Sequence, residues 1–251
     1  MYLTTSNQSA LFTSQSGGIS PFNSALENSI TINPSLAFQS IDGFGFALTG
    51  GSALHINSMS TGAKKALLDE LFGSGSDEIG ISFIRISIGS SDLDGEVFSY
   101  SETTDDRTHE NFTLVKDKDH LIPVLKEIIA INPQIKIMAS PWSPPVWMKS
   151  NGSSVGGSLL SDHYESYALY LKMYIQQMAA EGINISHLTI QIEPLNPFNN
   201  PSMLMLAAEQ TDFIKNHLGP AFEAADIDTK IVIYDHNPDR IDYPTEVLED
   251  T

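Results

Sequence analysis

The chain has 251 residues, 41% hydrophobic and 18% charged with no cysteine, a balance that describes a soluble globular protein and excludes collagen, coiled coil, low-complexity disorder, disulfides and thiolate metal sites. Its 31 acidic against 13 basic side chains give a formal charge of −18, and no Lys or Arg precedes Lys64. Nucleic acid and anionic membranes are thereby excluded as partners, because phosphate binding needs clustered cations. A neutral or cationic substrate suits such a field, and no apolar run reaches the roughly 18 residues of a membrane span.

Residues 1–40 are rich in Ser, Thr and Asn, with short alternations such as Ser29-Ile30-Thr31-Ile32 that predict a few strands outside the main core. A strand–helix alternation then begins. Gly43 to Thr49 reads as a first strand, and Ala63 to Phe72, with Ala63, Ala66, Leu67 and Leu71 at helical spacing, as the helix after it. Ile81 to Ile88 is a second strand. Leu121 to Ile131 is an amphipathic helix whose Pro123 falls in the first turn, where a missing amide hydrogen costs little. Gln134 to Ala139 is a third strand and Tyr164 to Ala180 a long helix. His187 to Glu193 is a fourth strand, closed by Pro194. Met205 to Leu218 is helical, Lys230 to Tyr234 is a fifth strand, and a last helix precedes Glu249-Asp250-Thr251.

This order predicts an α/β fold with a parallel sheet. About 250 residues is the usual size of one (β/α)₈ barrel, yet only five strand–helix units are counted, so the chain is expected to hold an open five-stranded sheet or the first part of a barrel. The opening Met1-Tyr2-Leu3-Thr4-Thr5 lacks the basic and apolar regions of a signal peptide. An exported protein of this kind carries its signal outside this chain.

In barrels and open parallel sheets alike, reacting groups gather at the C-terminal ends of the strands. Glu193 ends the fourth strand with a proline fixing the exit, which marks it as a general acid, against the reading of an ordinary strand-end carboxylate. Trp142 and Trp147 share the stiff loop Pro141-Trp142-Ser143-Pro144-Pro145; Trp142 is the candidate to offer a flat apolar face to a sugar ring, and Trp147 reads as packing. Asp92 after the second strand and Asp235 and His236 after the fifth are candidates to bind sugar hydroxyls, both aspartates being equally placed to cap a helix. His163 and His236 fall in no metal-binding spacing, so neither a metal nor another cofactor is expected.

At these motifs the sequence resembles glycoside hydrolase family 30, the group of glucosylceramidases and β-1,6-glucanases. The resemblance is carried by Phe38 to Thr49, by Arg85-Ile86-Ser87-Ile88-Gly89-Ser90-Ser91-Asp92, by Ala139 to Lys149 with Asn151-Gly152, and by Gln191-Ile192-Glu193-Pro194 with Asn200-Pro201-Ser202-Met203. It implies a (β/α)₈ TIM barrel over residues 41–251, of which about five units are present, beside a small β-sandwich whose first strands are residues 1–40. It also implies retaining hydrolysis of a β-glucoside or β-glucan, with Glu193 as acid/base and Asp92 and Trp142 contacting the innermost sugar; the expected location is secreted, periplasmic or at the cell surface. Two departures stand out. Ile192 replaces the family's usual Asn before the acid/base, and the family's nucleophile, on the seventh strand, falls beyond Thr251, so the isolated chain is expected to be inactive. Glu209, Glu223, Glu246 and Glu249, on helical stretches, offer no substitute. The alternative is a non-catalytic carbohydrate-binding relative, or an inactive fragment.

Overall fold

The computed structural model describes residues 2–11, 13–16 and 30–250. By contacts the chain divides into Met1–Ile41 and Asp42–Thr251. In the first unit, β1 (Tyr2–Leu3) and β2 (Thr13–Ser14) pair antiparallel. Of the strand expected over Ser29 to Ile32, Ser29 lies outside the described residues, and Ile30 to Ile32 run as exposed coil without a ladder partner among the described residues. Alternation alone does not make a strand when no neighbour supplies the hydrogen bonds.

In the second unit, β3 (Gly45–Ala47), β4 (Phe83–Ile88), β5 (Lys136–Pro141), β6 (His187–Thr189) and β7 (Lys230–Val232) form one parallel sheet in that order. Sequential neighbours joined by helices are the arrangement of successive barrel strands. Gly45 has to be glycine because a Cβ there would lie 1.5 Å from the Phe83 carbonyl oxygen of β4. Along β4, Ile84, Ile86 and Ile88 face the helices and are almost wholly buried, while Arg85 and Ser87 alternate with them on the other face.

The helices cover that apolar face. They are α1 (Gly50–Asn57), α2 (Thr61–Phe72), α3 (Val115–Asp119), α4 (Leu121–Ile131), α5 (Tyr164–Ala180), α6 (Ala207–Phe213), α7 (Gly219–Glu223) and α8 (Asp242–Glu249). Helices α4 and α5 have the predicted bounds, because Leu121, Val124, Leu125 and Ile128 of α4 and Tyr167, Tyr170, Leu171, Tyr174 and Met178 of α5 recur at helical spacing and all enter the core. The predicted helix Met205 to Leu218 is instead α6 followed by a π-helical turn at Ile214–Leu218 and then α7. Pro220 has no amide hydrogen to continue the regular ladder, and the chain widens its turn just before it. Among the described residues no helix is long and apolar enough to cross a membrane.

One buried acid sits in this core. Asp117 of α3 is 4% exposed and accepts a 2.5 Å bond from the Tyr100 hydroxyl, inside a group of rings in which Tyr100 stacks on Tyr170 and Tyr174. Burial, with the nearby Asp94 charge, pushes its carboxyl up to about 7 from 3.8. A carboxyl raised in this way holds its proton in the folded state, so its contribution is complete below the unfolded value and is lost as pH climbs through about 7. At about 1.4 kcal/mol per unit, Asp117→Asn should therefore gain up to about 4 kcal/mol on the wild type between pH 4 and pH 8. Urea denaturation at the two pH values tests this; a difference that does not move with pH refutes it.

Candidate active site

The C-terminal ends of β4 to β7 carry the groups singled out in the sequence. Glu193 lies four residues beyond β6, where the chain has left the regular ladder: Ile192 donates to the Pro141 carbonyl at 2.9 Å and Glu193 to the Asp235 carbonyl at 2.7 Å. Glu193 has φ +42° and Tyr234, on the facing segment, φ +49°. A left-handed conformation at a non-glycine residue costs on the order of 1–3 kcal/mol and persists where its surroundings enforce it. Here Pro194 fixes the exit, and Gln191, fully buried, donates to the carbonyls of Trp142 and Ile192 at 2.7 and 2.9 Å.

The Glu193 carboxylate is half-buried and held from below by its own loop. Asn196 donates its side-chain amide to Oε2 at 2.7 Å and its backbone amide to the Glu193 carbonyl at 2.8 Å. One carboxylate oxygen is thus oriented while the other is left for chemistry. Asn196 was not singled out in the sequence, although an amide three residues after a strand-end acid is the spacing of such a local brace.

Asp235 belongs to a different arrangement from the one expected. Both of its oxygens are engaged by Arg85 Nη1 at 2.9 and 3.1 Å, and Oδ2 also accepts from the Thr189 hydroxyl at 3.2 Å. Both of its oxygens are thus already tied to the sheet. Its partner Arg85 lies over the Trp142 ring, 5.4 Å from the centroid. A charged residue between two buried isoleucines of one strand is the signal that could have exposed this pair.

Trp142 is deeper than its loop suggests, at 4% exposed, with Arg85 against its ring. The open apolar face expected from the Pro-rich loop is therefore corrected: the arginine covers part of it. Trp147 is packed as expected, donating to the Ser101 carbonyl at 2.9 Å and meeting His163 edge-on. Asp92 is exposed at the rim and accepts a 3.5 Å contact from Asn199 of the loop after β6, while the neighbouring Asp94 bonds the Ser91 amide and hydroxyl. His236 lies against Tyr234, its Nδ1 buried and without a bonding partner among the described residues. Among those residues no three His, Asp or Glu side chains are grouped as metal ligands.

The arrangement places one oriented carboxyl group at the mouth of a parallel sheet, flanked by a buried indole, an ion pair and an exposed aspartate. A proton can be given or taken there; no cation other than Arg85, already neutralised by Asp235, is bonded within it.

The model of the glycosyl hydrolase family 30 TIM-barrel domain matches residues 41–251. An endo-1,6-β-D-glucanase of Neurospora crassa is 36% identical over 234 residues, covering 90% of this chain and 48% of its own length. The lysosomal acid glucosylceramidase of Mus musculus is 31% identical over 219 residues, covering 82% and 42%. A solved endo-β1,6-glucanase structure superposes with a TM-score of 0.87 at 39% identity, over 99% of this chain and 56% of that one. The chain spans about half the length of the curated relatives it matches.

Proposed function

Because this chain belongs to glycosyl hydrolase family 30, we propose that it forms part of a retaining β-glycosidase acting on β-1,6-linked glucan, with Glu193 as its general acid and base. The orientation of Glu193 by Asn196, four residues beyond β6, is the observation that carries this reading. Three relatives named as endo-1,6-β-glucanases are 36%, 35% and 32% identical, against 31% for the mouse glucosylceramidase, and the solved endo-β1,6-glucanase is 39% identical, which supports the glucan over the lipid glucoside. A neutral polymer also suits a chain of formal charge −18. Such a polymer is too large to cross a membrane, so the reading includes action outside the cytoplasm.

In the first step the Glu193 carboxyl passes its proton to the glycosidic oxygen as the C1–O bond breaks, while a second carboxylate about 5 Å away attacks C1. In the second, the Glu193 carboxylate takes a proton from water, the water oxygen bonds to C1, and the second carboxylate leaves. Asp235 is unsuited to the attacking role because Arg85 and Thr189 occupy its oxygens. In this reading the attacking group lies outside residues 42–250. Asp92, exposed at the rim, holds the sugar, with the buried Trp142 serving as packing beneath Arg85, and Ile192, 9% exposed beside the acid, supports a competing reading as a carbohydrate-binding relative without hydrolysis.

Proton NMR of β-1,6-glucan digested by the whole protein separates the two. The expected product shows the β-anomer first, with the α-anomer growing in by mutarotation. An initial α-anomer excludes retention, and binding without any product favours the competing reading.

A further inference from the structure

We infer that the cavity beside the Trp142 loop is a second glucosyl subsite, distinct from the site at Glu193; this rests on the reading of the protein as a β-glucan hydrolase. The cavity has a volume of about 240 Å³ and lies among the loops that follow β4, β5 and β6. That is below the ~300–1,000 Å³ of pockets for drug-sized ligands and suits a single ring. Phe98, Pro144 and Pro201 give its wall apolar surface, against which the CH face of a pyranose packs. The Ser143 and Ser154 hydroxyls give their protons to the Pro144 carbonyl and to Asn200 Oδ1, which leaves their oxygens as acceptors for the sugar's edge, and Glu102, one of whose oxygens accepts from the Ser99 amide, offers its other oxygen. Glu102 is the one charged side chain among the described lining residues, so the cavity rejects phosphate and carboxylate ligands and accepts a neutral sugar.

The wall is braced from inside the protein. Lys149, 3% exposed, donates from Nζ to the carbonyls of Ser154 at 3.2 Å and Ser202 at 2.6 Å. Ser202 in turn donates its amide to the Ser154 carbonyl at 2.9 Å, and the Ser154 hydroxyl donates to Asn200 Oδ1 at 2.8 Å. Burial draws the Lys149 ammonium down to about 8 from 10.5, a cost the fold bears to join the two loops. A pocket held in this way is organised before its ligand arrives, which lowers the cost of binding. It is also continuous with the rim, since Ser143 follows Trp142 directly and Asn199, two residues before Pro201, reaches Asp92.

The test uses Val97→Trp in the whole protein. Val97 lines the cavity and is 44% exposed, so added bulk narrows the space from the solvent side. The ratio of kcat/KM for a β-1,6-linked glucose tetramer to that for an aryl β-monoglucoside is expected to fall at least fivefold, with Val97→Ile restoring it to within twofold. A ratio that stays constant in Val97→Trp overturns the subsite. If Val97→Trp fails to fold, Glu102→Ala at an exposed position must give the same fall, and an unchanged ratio there refutes it equally. If the wild type hydrolyses neither substrate, the catalytic reading fails separately, and calorimetric titration with the tetramer decides for the cavity. Binding to wild type that is weakened fivefold or more in Val97→Trp supports the subsite; equal binding, or none to wild type, overturns it.

Discussion

Glu193→Gln is expected to lower kcat on β-1,6-glucan by about 10²–10⁴-fold in the whole protein, because an amide cannot give the leaving oxygen its proton. The loss depends on the leaving group. A dinitrophenyl β-glucoside, whose phenolate departs without a proton, should be attacked at close to the normal rate, and the slow step becomes hydrolysis of the glycosyl-enzyme. Added azide needs no general base and should restore turnover, releasing a β-glucosyl azide. The fold is not at stake, since glutamine keeps the shape and can still meet the Asn196 amide through its own carbonyl oxygen. A variant with wild-type turnover on glucan, or one whose loss is the same for every leaving group, excludes Glu193 from the acid/base role.

Arg85→Met is expected to destabilise the protein by about 2–4 kcal/mol, a drop in Tm of the order of 5–10 °C. The side chains of Arg85 and Asp235 are 26% and 16% exposed, so neither charge is well hydrated once the other is gone. Methionine fills much of the same volume against Trp142 but leaves the Asp235 carboxylate with only the Thr189 hydroxyl. Arg85→Met/Asp235→Asn should recover a large part of that loss, because the uncompensated charge is removed along with its partner. Additive losses in the double-mutant cycle would show that the pair is screened by solvent and that its energy lies in packing alone.

Much of this architecture is legible in the chain because its helices bury one broad stripe. Helix α5 places Tyr167, Tyr170, Leu171, Tyr174 and Met178 in the core, and this recurrence is visible without coordinates. Helix α1 has no such stripe: it buries only Ala53, opens on Gly50-Gly51 and depends on the Thr49 cap and on contact with the loop after β4. A Cβ at Gly51 would lie 2.0 Å from the Leu93 carbonyl oxygen, a reason for glycine that exists only once the two segments meet. The site divides in the same way. Glu193 is a candidate from sequence alone, through the proline that follows it and the strand pattern before it, although β6 itself ends four residues earlier, whereas Arg85 and Asp235 are separated by 150 positions and nothing local links them. Nor does the local pattern show that Lys149, in a Trp-rich loop, turns inward to hold two carbonyls instead of reaching solvent.

The placement of the two indoles makes the molecule its own optical reporter. Trp142 lies beneath a guanidinium at the site, its ring nitrogen unbonded among the described residues, while Trp147 donates to a carbonyl and packs against imidazoles on the outer loop. Replacing Trp147 with phenylalanine leaves Trp142 as the one tryptophan of these 251 residues, whose emission, excited apart from the tyrosines, depends on Arg85, Asp235 and whatever enters beside them. Occupancy of the rim can then be followed by light, without a label and without turnover.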